Sequence, residues 1–323
     1  MNKKYLEVNR KIKEYGTIIL HRHSMPDGDA IGSQIGLREA IKATYPYKQV
    51  YIVGDMNERF KFMGSMDEIS DDVYKQALVI VLDSGDEFLV SDERYKLGRY
   101  KIRLDHHMFR GSWCDFEIIE PEEVSCTAII FKIILENNMK LTKLGAQALF
   151  LGIVSDSGRF RYDGVTSKTF ELVSKLMEYD IDINEVYNNI YVEDLKIVKL
   201  RAELTSKFQI TPSGVAYLIN TQDDIKKYNT DIFTISRGMV SIMSGIRGID
   251  IWANFTEDVD GKYKIEIRSN KYNINLVATK YGGGGHKLAS GATLNSYDDI
   301  KLVLKDLDKI LEDANGTKRV DKK

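Results

Sequence analysis

The sequence predicts an α/β protein: a doubly wound, mainly parallel sheet, joined by a helical connector to a smaller α/β domain. Three observations carry this. Residues 77–82, Ala-Leu-Val-Ile-Val-Leu, form a continuous apolar run of the kind parallel strands buried on both faces show. Strand-like and helix-like patterns alternate along the first half, as βαβ units require. Acidic and imidazole side chains gather where the strand-like runs stop, and open α/β sheets keep their sites at the carboxyl ends of strands.

In chain order, an amphipathic stretch over 8–15 leads into a first strand over 17–20, Thr-Ile-Ile-Leu. A helix is predicted over 31–44, a strand over 50–53, the buried strand over 77–82 and a further strand over 101–104. Helix patterns follow at 125–136 and 144–154. A long helical pattern over 184–208 carries no evident chemistry and serves as the connector. Alternating strands then appear at 215–220, 249–256 and 263–268, with Asp258-Val259-Asp260-Gly261 as a hairpin turn between the last two. The glycine run Gly282 to Gly285 precedes a stretch read as helix-competent, and 296–315 reads as a closing amphipathic helix. The domain expectation is 1–184 for the catalytic domain, 185–208 for the connector, 209–316 for a substrate domain and 317–323 for a disordered tail.

Composition narrows the partners. The chain has 323 residues, more than one typical domain, and a formal net charge of −2, so no basic field exists to track a long duplex. No apolar stretch approaches the roughly 20 residues of a membrane span, and the start Met1-Asn2-Lys3-Lys4-Tyr5 has no secretory apolar region. The two cysteines, Cys114 and Cys126, form no CxxC pair and fit a reducing cytoplasm.

The chemistry concentrates in a few segments. His21 to Ser33 holds two imidazoles and two carboxylates, His21, His23, Asp27 and Asp29, directly after the first apolar run. Asp83 ends the buried run, Asp105-His106-His107 ends the next strand, and Asp156 closes a helix pattern. Of the five histidines, His21, His23, His106, His107 and His286, none falls in an unremarkable segment. The set lacks the Cys/His spacing of structural zinc, and Ile31 and Arg38 stand where an EF-hand starting at Asp27 would need ligands. Two imidazoles with four or more carboxylates exceed the needs of one ion. They suit a pair of divalent ions, with imidazole favouring manganese over magnesium and cobalt an alternative. Such pairs in phosphatases and nucleases activate a hydroxide for in-line attack on phosphorus.

The order His23-x-x-x-Asp27-x-Asp29-x-x-Gly32-Ser33, then Asp83, then Asp105-His106-His107, then Asp156-Ser157-Gly158, resembles the DHH phosphoesterase superfamily. Gly282 to His286, with Arg268 upstream, is similar to its DHH-associated carboxyl-terminal domain. The resemblance implies that His23, Asp27 and Asp83 hold one metal and Asp29, Asp83 and His106 the other, with Asp83 bridging and Asp156 shared into the cluster. It implies that His107 faces the scissile phosphate and that Asp105 orients an imidazole from behind. His21 shares strand parity with His23, yet a structural role is preferred for it.

In the second domain, consecutive glycines let backbone N–H groups approach a phosphate, and a following helix start would add a favourable dipole. Within the family pattern, Arg268, Gly284, Gly285 and His286 become candidate substrate contacts. The two-domain size resembles the nano-RNase/pAp-phosphatase group, with a cleft suited to small, bent anionic substrates. The implied substrates are short oligoribonucleotides and nucleotide bisphosphates; the oligomeric state, homodimer included, stays open. A cyclic-di-AMP or pApA phosphodiesterase is the alternative, followed by inorganic pyrophosphatase or exopolyphosphatase. A metal-retaining nucleotide sensor would predict a lost ligand, and none of the motif positions lacks one.

Overall fold

The computed structural model describes residues 2–162 and 164–320. Five short strands form, β1 (Thr17–Arg22), β2 (Gln49–Ile52), β3 (Leu78–Leu82), β4 (Tyr100–Asp105) and β5 (Phe116–Ile119), the last of them not expected from the sequence. They pair in the order β2-β1-β3-β4-β5, every pair parallel. Because side chains alternate across a strand, each run feeds two cores. Ile18, Leu20, Ile80, Leu82, Ile102 and Leu104 pack with apolar residues of α1 (Lys3–Glu14), α2 (Gly28–Thr44), α3 (Cys126–Glu136) and α4 (Lys143–Asp156). Ile19, Val79 and Val81 face the other way, onto Tyr74 and Tyr95 from two 3-10 segments, Asp71–Gln76 and Glu93–Leu97.

The two helices that carry site residues touch backbone to backbone. A Cβ on Gly32 of α2 would lie 2.3 Å from the Ala148 carbonyl oxygen of α4, and one on Gly152 of α4 would lie 2.6 Å from Asp29 Oδ1. Only glycine fits at these two places.

Two compact units divide the chain, Met1–Val192 and Glu193–Lys323. After α5 (Ser167–Met177), the stretch expected as one connector helix is two helices, α6 (Ile183–Tyr191) and α7 (Leu195–Lys207), one in each unit. Val192 takes extended backbone and Asp194 stands at the N-cap position of the next helix, so the periodic pattern breaks there.

The second unit is built on β6 (Gln209–Ile210), β7 (Ala216–Asn220), β8 (Ile251–Glu257), β9 (Tyr263–Ser269), β10 (Gly284–His286) and β11 (Ala289–Leu294), in the order β10-β11-β9-β8-β7-β6. Only β7 and β8 pair in parallel among these. Its helices are α8 (Gln222–Lys227), α9 (Asn275–Lys280) and α10 (Asp298–Val320). The Asp258–Lys262 turn closes the β8–β9 hairpin, with Asp258 N–H donating to the Lys262 carbonyl at 2.7 Å.

The glycine run departs from expectation. No helix follows it: Gly284 to His286 pair antiparallel with Ala289 to Gly291, and β11 pairs onward with β9. The helix beside the run is α9, which ends into it, the Gly283 N–H donating to the Ala278 carbonyl at 2.9 Å. The dipole at this place therefore has its negative end toward the glycines and gives an anion no help. Small residues, Ala-Ser-Gly-Ala-Thr-Leu, hide the strand because they carry no β-branched or aromatic signature apart from Thr293. Helix α10 runs on through 317–320, part of the stretch expected to be disordered, and residues 321–323 of that stretch lie outside the described residues. Among the described residues no helix is long and apolar enough to cross a membrane.

Candidate metal centre

Strand ends build the centre. β1 exits into His23, whose backbone bridges to Val90, and Asp27 then caps α2 by accepting from the Asp29 and Ala30 N–H groups at 3.0 Å each. β3 exits into Asp83, which adopts φ +50°, a left-handed conformation that aspartate tolerates better than most residues. β4 ends at Asp105 and delivers His106 and His107; α4 ends at Asp156.

Three groups of ligand-type atoms converge, each within 4.8 Å: His23, Asp27 and Asp83; Asp29, His106 and Asp156; and Asp83, His106 and His107. His23 Nε2 lies 3.5 Å from Asp83 Oδ2 and 3.9 Å from Asp27 Oδ1. His106 Nε2 lies 3.5 Å from Asp83 Oδ1, 3.8 Å from Asp29 Oδ2 and 3.2 Å from Asp156 Oδ2. Asp83 thus turns one oxygen to each imidazole, and Asp156 is drawn to the His106 side. Both imidazoles are oriented by backbone: His23 Nδ1 donates to the Ser24 carbonyl at 2.8 Å, and His106 Nδ1 to the Glu123 carbonyl at 3.3 Å. That fixes the tautomer and frees each Nε2 for a ligand.

Charge in this cluster is unbalanced. Burial first, then the carboxylates of Asp83 and Asp156, push the Asp29 carboxyl well above its ordinary range; burial raises Asp156 too. Burial alone would lower the two imidazoles, but the neighbouring Asp27 and Asp83 carboxylates outweigh it and hold His23 up to about 11. Asp156 and Asp83 do the same for His106, held up to about 12. Asp83 Oδ1 and His106 Nε2 are buried without hydrogen-bond partners. Orphaned acceptor atoms among four carboxylates are what a divalent cation would satisfy, so the residues present fit such ions.

Several supporting residues carried no recognisable signal. The N-terminus of α3 grips Asp29: Cys126 N–H donates to Oδ2 at 2.6 Å, and the Thr127 N–H and hydroxyl to Oδ1 at 2.9 and 2.7 Å. The fully buried Arg22 donates to the His23 carbonyl at 2.8 Å, to Asp55 at 2.8 Å and to Gln34 at 3.2 Å. Only the capping serine before α3, Ser125, could have hinted at the first.

His107 and Asp105 form a separate pair. Asp105 Oδ1 accepts from His107 Nδ1 at 2.8 Å, and that contact is the main cause that raises the imidazole pKa. With Nδ1 engaged and the ring half exposed, Nε2 is the end left for an anionic group, and it carries a donor N–H in the cation that the Asp105 contact favours.

His21 does not join the centre. Its ring is fully buried beside Tyr74 and Tyr95, at centroid distances of 5.7 and 6.2 Å, with Nε2 at 3.2 Å from the Tyr74 hydroxyl. Burial lowers its pKa to about 3. Between that value and the ordinary 6.5 the unfolded chain binds a proton that the folded chain refuses, so stability falls as pH drops through this window. His21→Phe should flatten the decline of Tm with falling pH below 6.5 by up to one proton, about 1.4 kcal/mol per pH unit. Parallel Tm-against-pH curves for the two proteins would contradict this.

In the second unit, directly paired residues place His286, Ala289, Arg268 and Trp252 in one row across β10, β11, β9 and β8, so Arg268 and His286 share a face. Arg268 donates to the Ile267 carbonyl and pairs with Glu266, both at 2.9 Å. His286 is exposed, and a Cβ on Gly284 would meet nothing within 4 Å, whereas Gly285 sits at φ +136°.

Comparison with known proteins agrees with this architecture. The DHH family N-terminal domain matches residues 17–153 and the DHHA1 domain residues 228–313. With the parallel sheet they define the class: the chain belongs to the DHH family of phosphoesterases, which depend on divalent metals. Full-length relatives narrow it further. Over 303 residues the chain is 40% identical to the probable bifunctional oligoribonuclease and PAP phosphatase NrnA of Streptococcus mutans, spanning 92% of this chain and 96% of that protein. It is 34% identical to the bifunctional oligoribonuclease and PAP phosphatase NrnA of Bacillus subtilis, spanning 95% and 98%. Its fold is shared by an exopolyphosphatase-related protein from Bacteroides fragilis, with TM-score 0.80, 24% identity and coverage of 97% and 98%.

Proposed function

We propose that this chain hydrolyses very short oligoribonucleotides to 5′-mononucleotides and removes the 3′-phosphate from 3′-phosphoadenosine 5′-phosphate. The observation that carries this is likeness along nearly the whole chain to the two NrnA proteins, both bifunctional oligoribonuclease and PAP phosphatases.

His23, Asp27 and Asp83 would hold one divalent ion, and Asp29, His106 and Asp156, with the second oxygen of Asp83, the other. Manganese suits this mix of imidazole and carboxylate better than magnesium. When bound, such ions supply Lewis acidity toward phosphoryl oxygen and lower the pKa of water. Asp105 holds His107 with Nε2–H outward, where it donates to a non-bridging phosphoryl oxygen as negative charge grows. Asp29, gripped by the α3 N-terminus, keeps its carboxylate from moving as charge shifts nearby. Arg268 and His286 contact a terminal phosphate or the base of the nucleotide, and the open backbone at Gly284 admits it closely. Two free thiols, Cys114 and Cys126, suit a cytoplasmic site of action.

The test is manganese-dependent hydrolysis of pAp, an RNA dinucleotide, a five-nucleotide RNA, pApA, cyclic-di-AMP and pyrophosphate at equal concentrations. Preference for short RNA and pAp supports the assignment; dominance of cyclic-di-AMP or pApA replaces it with second-messenger turnover. His286→Ala should raise KM for nucleotides roughly tenfold or more, the worth of a hydrogen bond to a charged group, while leaving metal binding intact. Unchanged KM would remove His286 from substrate recognition.

A further inference from the structure

Arg103 is fully buried in β4, two residues before Asp105 and on the same face of the strand. A buried guanidinium is costly unless its donors are matched. Here one Nη donates to Asp105 Oδ2 at 2.7 Å and to the Gly85 carbonyl at 3.0 Å; the other donates to the Gly111 carbonyl at 3.2 Å. Its plane also lies 5.0 Å from the Trp113 ring centroid. Each contact leads to a different part of the site. Gly85 lies two residues beyond Asp83, Asp105 touches His107, and Gly111 lies in the segment that follows His107.

The two oxygens of Asp105 divide their work. Oδ2 takes Arg103; Oδ1 takes the His107 ring at 2.8 Å and the His107 backbone N–H at 3.2 Å. A carboxylate anchored by only one oxygen could rotate about its last torsion and carry the imidazole with it. The guanidinium removes that freedom by holding Oδ2 with the Nη that also takes the Gly85 carbonyl, while its other Nη is fixed on Gly111. Gly85 also abuts the imidazole: a Cβ there would lie 3.2 Å from His107 Cβ, so fixing the Gly85 carbonyl fixes one wall of the ring's seat.

We infer that Arg103 is a positioning residue for His107, acting through Asp105 and through the two carbonyls it holds. This rests on the assignment of His107 to the scissile phosphate. A guanidinium that merely filled the core would affect folding without regard to what stands at 107.

The test is a double-mutant cycle on the full chain with manganese and an RNA dinucleotide: wild type, Arg103→Met, His107→Ala and both together. Arg103→Met should lower kcat about 10–100-fold, the range for groups that orient a functional residue from behind, with KM and bound manganese per chain little changed. In the His107→Ala background it should cost less than threefold, since the ring it positions is gone. An equal loss in both backgrounds overturns the proposal and leaves the role of His107 standing. Wild-type kcat in His107→Ala overturns the parent assignment, and this one with it. Should Arg103→Met fail to fold, Arg103→Lys enters the same cycle, since lysine keeps the charge but lacks the fork; the same two outcomes decide.

Discussion

Asp83→Ala should abolish turnover, lowering kcat/KM by on the order of a thousandfold or more, beyond the 10–100-fold typical of losing an outer contact. The reason is geometric. Asp83 Oδ2 faces His23 and Oδ1 faces His106, each at 3.5 Å, so a single carboxylate serves both groups of ligands. Because Asp83 sits at φ +50°, alanine adds backbone strain to the chemical loss. Asp83→Asn separates the two, since asparagine adopts that conformation readily. Both variants should bind fewer ions per chain than wild type by metal analysis. A full complement of ions with undiminished hydrolysis in Asp83→Asn would refute the bridging assignment.

The second large effect is expected at His107. His107→Ala should reduce kcat by about 10²–10³-fold, the loss usual when one donor to a developing oxyanion is removed. KM should shift little and the metal content not at all, because the ring's one close hydrogen bond from a side-chain nitrogen runs to Asp105. A fall in bound metal that tracks the fall in rate would mean that His107 is a ligand. That outcome has a structural basis to exclude, since Asp83, His106 and His107 also form a cluster of ligand-type atoms within 4.8 Å.

The parallel sheet was legible because β1 is apolar from Ile18 to Leu20 and β3 is apolar throughout, because β4 alternates apolar residues with Lys101 and Arg103, and because all three lead into ionisable side chains. The candidate site residues of the first unit stood out for the same reason: His23, Asp83 and Asp105 to His107 each follow such a run. What was hidden is of two kinds. The 3-10 segments at Asp71–Gln76 and Glu93–Leu97, which cover one face of the sheet, are too short to show a period. The contacts that aim the imidazoles come from the Ser24 and Glu123 carbonyls, and a carbonyl leaves no trace in the choice of side chain. The glycine run was legible as unusual but not as a hairpin, because glycine frees the backbone without saying which way it turns.

One dimension of the centre is set by absence of side chains. Asp27 and Asp29 ride on α2, Asp156 on α4, and these helices meet at Gly32 and Gly152 with backbone against backbone. Most distances inside a protein float with the bulk of what packs between the parts, and can be retuned by exchanging one aliphatic residue for another. This one is already at its floor. The gauge between Asp29 and Asp156 is ground to the thickness of two polypeptide chains: an added carbon at Gly32 prises the helices apart, and one at Gly152 strikes the Asp29 carboxylate and the Thr127 side chain that holds it.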